Sequence, residues 1–191
     1  MEPRLIAQDL ACRRGERLLF RGLSFSLAPG AALQVTGPNG SGKSSLIRIL
    51  AGLLRPFAGS VVREGEVGLV DERPALDEQQ ATGDALAFWR TIDRTTDAAH
   101  PRLDLARLAE VPFGYLSTGQ RKRAALARLQ GQRAAIWLLD EPLNGLDTAA
   151  IETTEALVAH HCEAGGIAVI ASHQPFALAG LGRIDIAEWS P

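Results

Sequence analysis

Cysteine is nearly absent from this chain of 191 residues: only Cys12 and Cys162 occur, far apart. Two distant thiols make no disulfide framework and match no metal-ligand spacing, so a reduced, cytoplasmic setting is expected. Long hydrophobic runs are missing too. None approaches the roughly 20 residues that span a bilayer, and Met1-Glu2-Pro3-Arg4-Leu5-Ile6 has no signal-peptide core. If the chain works at a membrane, another component must hold it there. Neither sign of charge dominates: 20 Lys and Arg against 22 Asp and Glu leave a formal net charge of −2, which gives no footing for nucleic acid as the main partner. There is no internal repeat and no low-complexity tract. What is present is an apolar composition of 46%, enough for a sizeable core in one globular domain with room for a small lobe.

The most informative stretch is Gly37-Pro38-Asn39-Gly40-Ser41-Gly42-Lys43-Ser44-Ser45. An apolar run, Ala31 to Val35, precedes it and reads as a buried strand. Leu46-Ile47-Arg48-Ile49-Leu50-Ala51 follows as an amphipathic helical pattern closed by Gly52. Strand, glycine-rich loop and helix are the setting that a G-x-x-x-x-G-K-[ST] match requires. Such glycines let the backbone wrap phosphate oxygens with N–H groups pointing inward, and the helix N-terminus adds partial positive charge. Lys43 is placed to neutralise β- and γ-phosphates, and the Ser44 hydroxyl to ligate Mg²⁺. A Gly/Ser surface turn with an exposed lysine is the bland alternative, and the strand–helix setting argues against it. The chain is expected to bind a nucleoside triphosphate.

Arg4 to Leu10 and Leu18 to Leu27 read as strands around the turn Arg13-Arg14-Gly15-Glu16, with Leu23-Ser24-Phe25-Ser26-Leu27 alternating as a half-exposed strand should. Short strands are expected at Ser60 to Val62 and Glu66 to Val70, then a charged loop, Asp71 to Gln80, that holds Pro74. Ala81 to Leu108 carries helical patterns, with Ala85, Leu86, Phe88, Trp89 and Ile92 on one side and a polar interruption from Asp93 to Pro101. This middle region, about 75–130, reads as a helical lobe inserted into a domain that spans 1–191. The core resumes with a helix from Ser117 to Leu129, a strand at Ala134 to Leu139 and a helix at Thr148 to Cys162. Strands at Ile167 to Ala171 and Ile184 to Ala187 complete it. Strands alternating with helices imply an α/β fold with a mostly parallel sheet covered on both faces.

Ala135-Ile136-Trp137-Leu138-Leu139-Asp140-Glu141 is a buried strand that ends in two carboxylates. In a parallel sheet, ligands bind at the carboxyl ends of strands, so both acids emerge where the phosphates would sit. Asp140 can complete an Mg²⁺ shell with Ser44. Glu141 can polarise an attacking water, the general-base role. Leu116-Ser117-Thr118-Gly119-Gln120 opens a helix, with Ser117 as N-cap and backbone N–H groups facing an anion.

With these motifs in this order, the chain resembles the nucleotide-binding subunits of ATP-binding cassette (ABC) transporters. The family signature L-S-G-G-Q appears with Thr118 at its first glycine, and Leu143-Asn144-Gly145-Leu146-Asp147 stands where the family has its D-loop. The motifs run from Gly37 to His173. The resemblance implies a P-loop NTPase core with a small antiparallel β lobe and an inserted helical subdomain. ATP and Mg²⁺ are the implied cofactors. It implies a second ABC ATPase subunit, most simply a homodimer packed head to tail. Ser117, Thr118, Gly119 and Gln120 of one copy would then face the γ-phosphate held by Gly40, Gly42 and Lys43 of the other. His173 would contact that γ-phosphate, and Asp147 would line the seam. Integral membrane subunits are the implied partners, with the chain on the cytoplasmic face of the inner membrane. Within the family the wording is most similar to ATP-binding subunits of haem exporters in cytochrome c maturation. The matching stretches are Arg17 to Phe25, Gly37 to Leu46, Leu116 to Leu129 and Trp137 to Pro142.

The sequence also departs from the family. No aromatic stands near Arg14 to stack on adenine, so the Arg14 guanidinium is the expected substitute. The glutamine expected just before Pro74 is replaced by Glu72 and Arg73, and the segment between Gly59 and Val70 looks shortened. His160 and His161 read as surface residues, and Arg121-Lys122-Arg123 as a solvated helix face. Alternative readings are another ABC exporter or importer, or a soluble non-transport ABC ATPase. A P-loop small-molecule kinase would leave Leu116 to Gln120 and His173 unexplained.

Overall fold

The structure is a computed structural model that describes residues 2–95 and 103–190. Among the described residues, eight strands form two sheets. The first is antiparallel, in the order β2-β1-β4, from β1 (Arg4–Arg14), β2 (Arg17–Leu27) and β4 (Ala58–Glu64). The second is parallel throughout, in the order β5-β6-β7-β3-β8. Its strands are β3 (Ala32–Thr36), β5 (Val67–Val70), β6 (Ile136–Asp140), β7 (Ile167–Ala171) and β8 (Gly182–Asp185).

Strands β6 and β7 are buried at every residue, as continuous apolar runs in a sheet covered on both faces must be. Their side chains alternate between two cores. Leu33, Val35, Ile136, Leu138, Ile167 and Val169 pack toward α1 (Lys43–Leu50) and the antiparallel sheet, where Leu5, Leu10, Phe20 and Leu23 meet them. Trp137, Leu139, Ala168 and Ile170 face the other way, into a core shared with α3 (Thr118–Gly131) and α4 (Thr148–Glu163). Helix α2 (Thr82–Asp93) lies beyond, packed on α3. Mixed α/β architecture with a parallel sheet is therefore what the structure has.

Several expectations need correction. Strand β1 runs past Leu10 to Arg14 because a bulge puts Asp9 in a left-handed conformation (φ 48°), letting the strand continue after the irregularity. β4 crosses this bulge at Gly59, where a Cβ would lie 2.3 Å from the Gln8 carbonyl oxygen, so only glycine fits. The final strand ends at Asp185, not Ala187. There the Asp185 carboxylate accepts the Ala187 N–H at 3.0 Å and starts a 3-10 turn, Ile186–Trp189. On α2, Ala85 and Leu86 are buried and Trp89 partly so, but Phe88 and Ile92 are exposed. The helix packs mainly on α3, so its apolar face is narrower than the sequence periodicity implies. The polar interruption expected at 93–101 lies, from residue 96 on, outside the described residues.

His161 is not a surface residue. Its ring stacks on Trp137 with centroids 4.0 Å apart, and Nε2 lies 3.2 Å from the Ile167 carbonyl, whereas His160 is exposed. Burial holds the His161 pKa below its ordinary 6.5. The unfolded chain then binds the proton more readily than the folded one. This contribution is therefore complete above pH 6.5 and is lost as pH falls through the depressed folded value. His161→Phe, which keeps a ring against Trp137, should lose less stability than the parent between pH 7.5 and 5.5. Urea midpoints at the two pH values check this; equal losses would reject it.

Candidate active site

The glycine-rich loop leaves β3 after Thr36 and turns through Gly37, Gly40 and Gly42, all with positive φ. Gly42 also packs where a Cβ would come within 3.0 Å of the Phe20 ring. Helix α1 begins at Lys43 with no side-chain cap, so its first N–H groups face the loop. The Lys43 ammonium is buried and donates to the Gly37 and Pro38 carbonyls at 2.8 and 3.2 Å, drawn under the loop it stems from. The Ser41 hydroxyl is buried with no protein partner among the described residues.

Across the loop, the Ser44 hydroxyl donates to Asp140 Oδ1 at 3.0 Å. Asp140 is 4% exposed. Burial pushes its carboxyl pKa up and the neighbouring Glu141 adds to this, while the Ser44 hydrogen bond and Lys122 oppose the rise. A serine oxygen beside a buried carboxylate is a donor pair of the hard kind that suits a small divalent cation, which takes few protein ligands when phosphates complete its shell. Mg²⁺ fits these residues.

Glu141 has a left-handed backbone (φ 47°), sparsely populated for a side-chain-bearing residue. Its carboxylate meets His173 Nδ1 at 2.9 Å through Oε2, and Oε1 lies 4.0 Å from Lys43 Nζ. An ionised Glu141 accepts only, so Nδ1 is the nitrogen that carries the proton in this contact. Asn39, Gly40, Lys43, Ser45, Glu141 and His173 line a cleft of about 440 Å³. Arg14 is exposed beside the hairpin turn opposite Arg17 and does not border this cleft.

Ser117 caps α3 in a capping box: its oxygen accepts the Gln120 N–H at 3.3 Å, and its own N–H donates to Gln120 Oε1 at 2.8 Å. Thr118 and Gly119 follow, packed on Gly145. Ser117 and Thr118 border a second cleft, of about 560 Å³; Glu72, Glu141 and Asn144 line both clefts, so the two adjoin. The Asp147 carboxylate caps α4 by accepting the Ala150 N–H at 2.8 Å.

Two features escaped the sequence. Lys122 is 7% exposed, not solvated, and its ammonium donates to the Asp140 carbonyl at 3.3 Å. Burial lowers its pKa, while Asp140, Asp71, Glu72 and Glu141 pull it back up. Its position three and four residues before the buried Ala125 and Leu126 was the available signal. Arg121 likewise donates to the carbonyls of Leu116 and Gly114. The second feature is a chain of amides: Gln34 Nε2 donates to the Gln174 carbonyl at 2.7 Å, and Gln174 Nε2 to Asn144 Oδ1 at 3.1 Å. It joins β3 to the segments after β6 and β7, and side-chain type alone gives no sign of it.

Comparison with known proteins bears on this geometry. Residues 20–144 match the family described as ABC transporter. A protein of Novosphingobium aromaticivorans named cytochrome c biogenesis ATP-binding export protein CcmA is 54% identical over 189 residues, covering 98% of this chain and 97% of that one. A protein of the same name from Sphingopyxis alaskensis is 52% identical, covering 94% and 95%. Among solved structures, a dimeric ATP-binding cassette in a post-hydrolysis state with ADP and Pi superposes with a TM-score of 0.75 at 20% identity. It covers 89% of this chain and 88% of that one.

Gly119 offers a direct check on how the second cleft is built. A Cβ there would lie 2.3 Å from the Gly145 carbonyl oxygen, a backbone atom that cannot swing aside. Gly119→Ala should therefore destabilise the protein by about 1–3 kcal/mol, read as a lower urea midpoint. An unchanged midpoint would mean that this contact is absent in solution.

Proposed function

The chain belongs to the ABC transporter family, and from that premise we propose that it is the ATP-hydrolysing subunit of a cytochrome c biogenesis exporter, driving a separate membrane component. The observation that carries the chemistry is the convergence of Lys43, Ser44, Glu141 and His173 on one cleft, with Asp140 bonded behind Ser44 and Glu141 in contact with His173.

In this reading Gly37, Pro38, Asn39, Gly40, Ser41, Gly42 and Ser45 form the cradle for the phosphates, the residues other than Pro38 offering backbone N–H groups, and the Lys43 ammonium supplies the charge that the β- and γ-phosphates need. Ser44 and Asp140 would hold Mg²⁺, which would supply positive charge to offset the negative charge that develops on the phosphates. Glu141 accepts the proton of the attacking water. His173 donates to the Glu141 carboxylate through Nδ1 and, when Nε2 also carries a proton, stabilises charge on the γ-phosphate from the other side of its ring. Arg14, exposed beside the hairpin turn, is the group we assign to stacking on the base.

One copy supplies half of the reaction centre. Ser117, Thr118, Gly119 and Gln120 of a second copy close over the triphosphate, and Asp147 lines the seam. The membrane partners are integral subunits: no helix among the described residues is long and apolar enough to cross a bilayer. The setting that follows is the cytoplasmic face of the inner membrane, with no nucleic acid involved.

Glu141→Gln should cut ATP turnover by about 10²–10⁴-fold, the range for loss of a general base, and leave an ATP-bound dimer visible by gel filtration. Lys43→Ala should instead lose nucleotide affinity. Normal turnover by purified Glu141→Gln would remove Glu141 from the base role.

A further inference from the structure

The peptide bond that joins Asp140 to Glu141 is gripped at both ends. Its carbonyl oxygen accepts from the Lys122 ammonium at 3.3 Å, and its N–H donates to the Ala171 carbonyl at 2.8 Å. Between these two anchors the plane of the peptide is fixed, and with it the left-handed backbone of Glu141. That conformation aims the Glu141 carboxylate at His173 and Lys43. The Ala171 anchor belongs to the parallel ladder. The other is a charged side chain from a different layer, on α3, five residues after the N-cap Ser117.

A buried ammonium is costly unless it meets opposite charge and hydrogen-bond acceptors. Lys122 has both, with Asp71, Glu72, Asp140 and Glu141 around it. An apolar residue would fill the same space on a helix whose neighbouring positions Ala124, Ala125 and Leu126 are all buried. A lysine here is explained by what its head group holds.

We infer that Lys122 is a positioning residue for Glu141: by fixing the Asp140–Glu141 peptide, it ties the orientation of the proposed base to the helix that carries Ser117, Thr118, Gly119 and Gln120. This inference rests on the reading of Glu141 as general base. Movement of α3 at the second cleft then reaches the first cleft through one side chain, with no contact between Lys122 and the nucleotide required.

The test compares Lys122→Met, Lys122→Arg and Glu141→Gln, singly and as the Lys122→Met/Glu141→Gln pair, in the purified full chain. Misplacing a catalytic group by about 1 Å costs on the order of 10²-fold, so Lys122→Met should lower kcat by about 10–100-fold while KM for ATP stays within about threefold. Lys122→Arg, which still reaches the carbonyl, should recover most of the rate. In the Glu141→Gln background, Lys122→Met should cost about twofold at most, since nothing remains to be positioned. A fully active Lys122→Met, a loss carried by KM, or an undiminished loss in the Glu141→Gln background would each overturn the inference. Should Lys122→Met fail to fold, Lys122→Gln, whose amide falls short of the carbonyl, takes its place against Lys122→Arg. If Glu141→Gln itself turns over normally, the base reading falls. If Glu141→Gln is dead and Lys122→Met is not, only the role of Lys122 falls.

Discussion

Parallel pairing of β6, β7 and β3 is the constraint on which the site depends. Asp140 is in register with Ala171, and Ala171 with Val35, so three neighbouring strands reach their carboxyl ends at one level. From that level the chain must leave the sheet three times, and each exit carries chemistry: the glycine loop and Lys43 after β3, Glu141 after β6, His173 after β7. A shift of one residue in any strand would turn its side chains to the opposite face and carry its exit group out of reach. The two cores prevent such a slip. Leu138 and Val169 face α1 while Leu139 and Ile170 face α3 and α4, so every register error would put a mismatched side chain into a packed interior.

Charge is balanced across this edge with few residues. Asp140 and Lys122 are both nearly fully buried, and burial alone pushes each toward its neutral form. Each offsets part of the other's penalty, and Asp71, Glu72 and Glu141 add negative charge around them. Lys43, drawn onto the carbonyls of Gly37 and Pro38, answers Glu141 from the other side. Among the described residues the edge carries four carboxylates against two ammonium groups and the Arg48 guanidinium, 4.0 Å from Asp71, an arrangement suited to a divalent cation entering with a polyphosphate and poorly suited to a bare anion. Glu72, two residues before Pro74, contributes to that balance. A charged side chain there strengthens the field around both Asp140 and Lys122.

Much of this was legible because it is local in sequence. The glycine loop, the capping serine and the two acids at the end of an apolar strand follow from rules that operate within ten residues. Positions that depend on distant packing were not. His161 reads as an exposed helix-end histidine until β6 brings Trp137 beneath it. Lys122 reads as one charge in a run of three until α3 is laid against the end of β6. Phe88 and Ile92 match the helical period, yet are exposed, since among the described residues α2 packs mainly on α3. The bulge at Asp9 needs a partner strand to be seen at all, since only pairing defines it. Periodicity reports that a face exists; the number of neighbours decides how much of it is buried.

The arrangement of the two clefts bears on why a second copy would matter. Within one chain, Ser117 and Thr118 border the second cleft while Lys43, Ser44 and His173 border the first, and Glu72, Glu141 and Asn144 form the boundary between them. The turn at Ser117 therefore opens α3 at a place its own glycine loop does not line. Gly119 packs on Gly145, two residues before Asp147 caps α4, so α3, the loop after β6 and α4 touch at one point. An anion drawn to the N-terminus of α3 would press on that point from outside. The amide chain through Asn144 and Gln174 joins the same loop to β3 and to the segment that bears His173. In the proposed dimer, a phosphate offered by a neighbouring copy would thus bear on the very loop that orients Glu141 and His173, and closure would then be a physical condition for hydrolysis rather than an accompaniment to it.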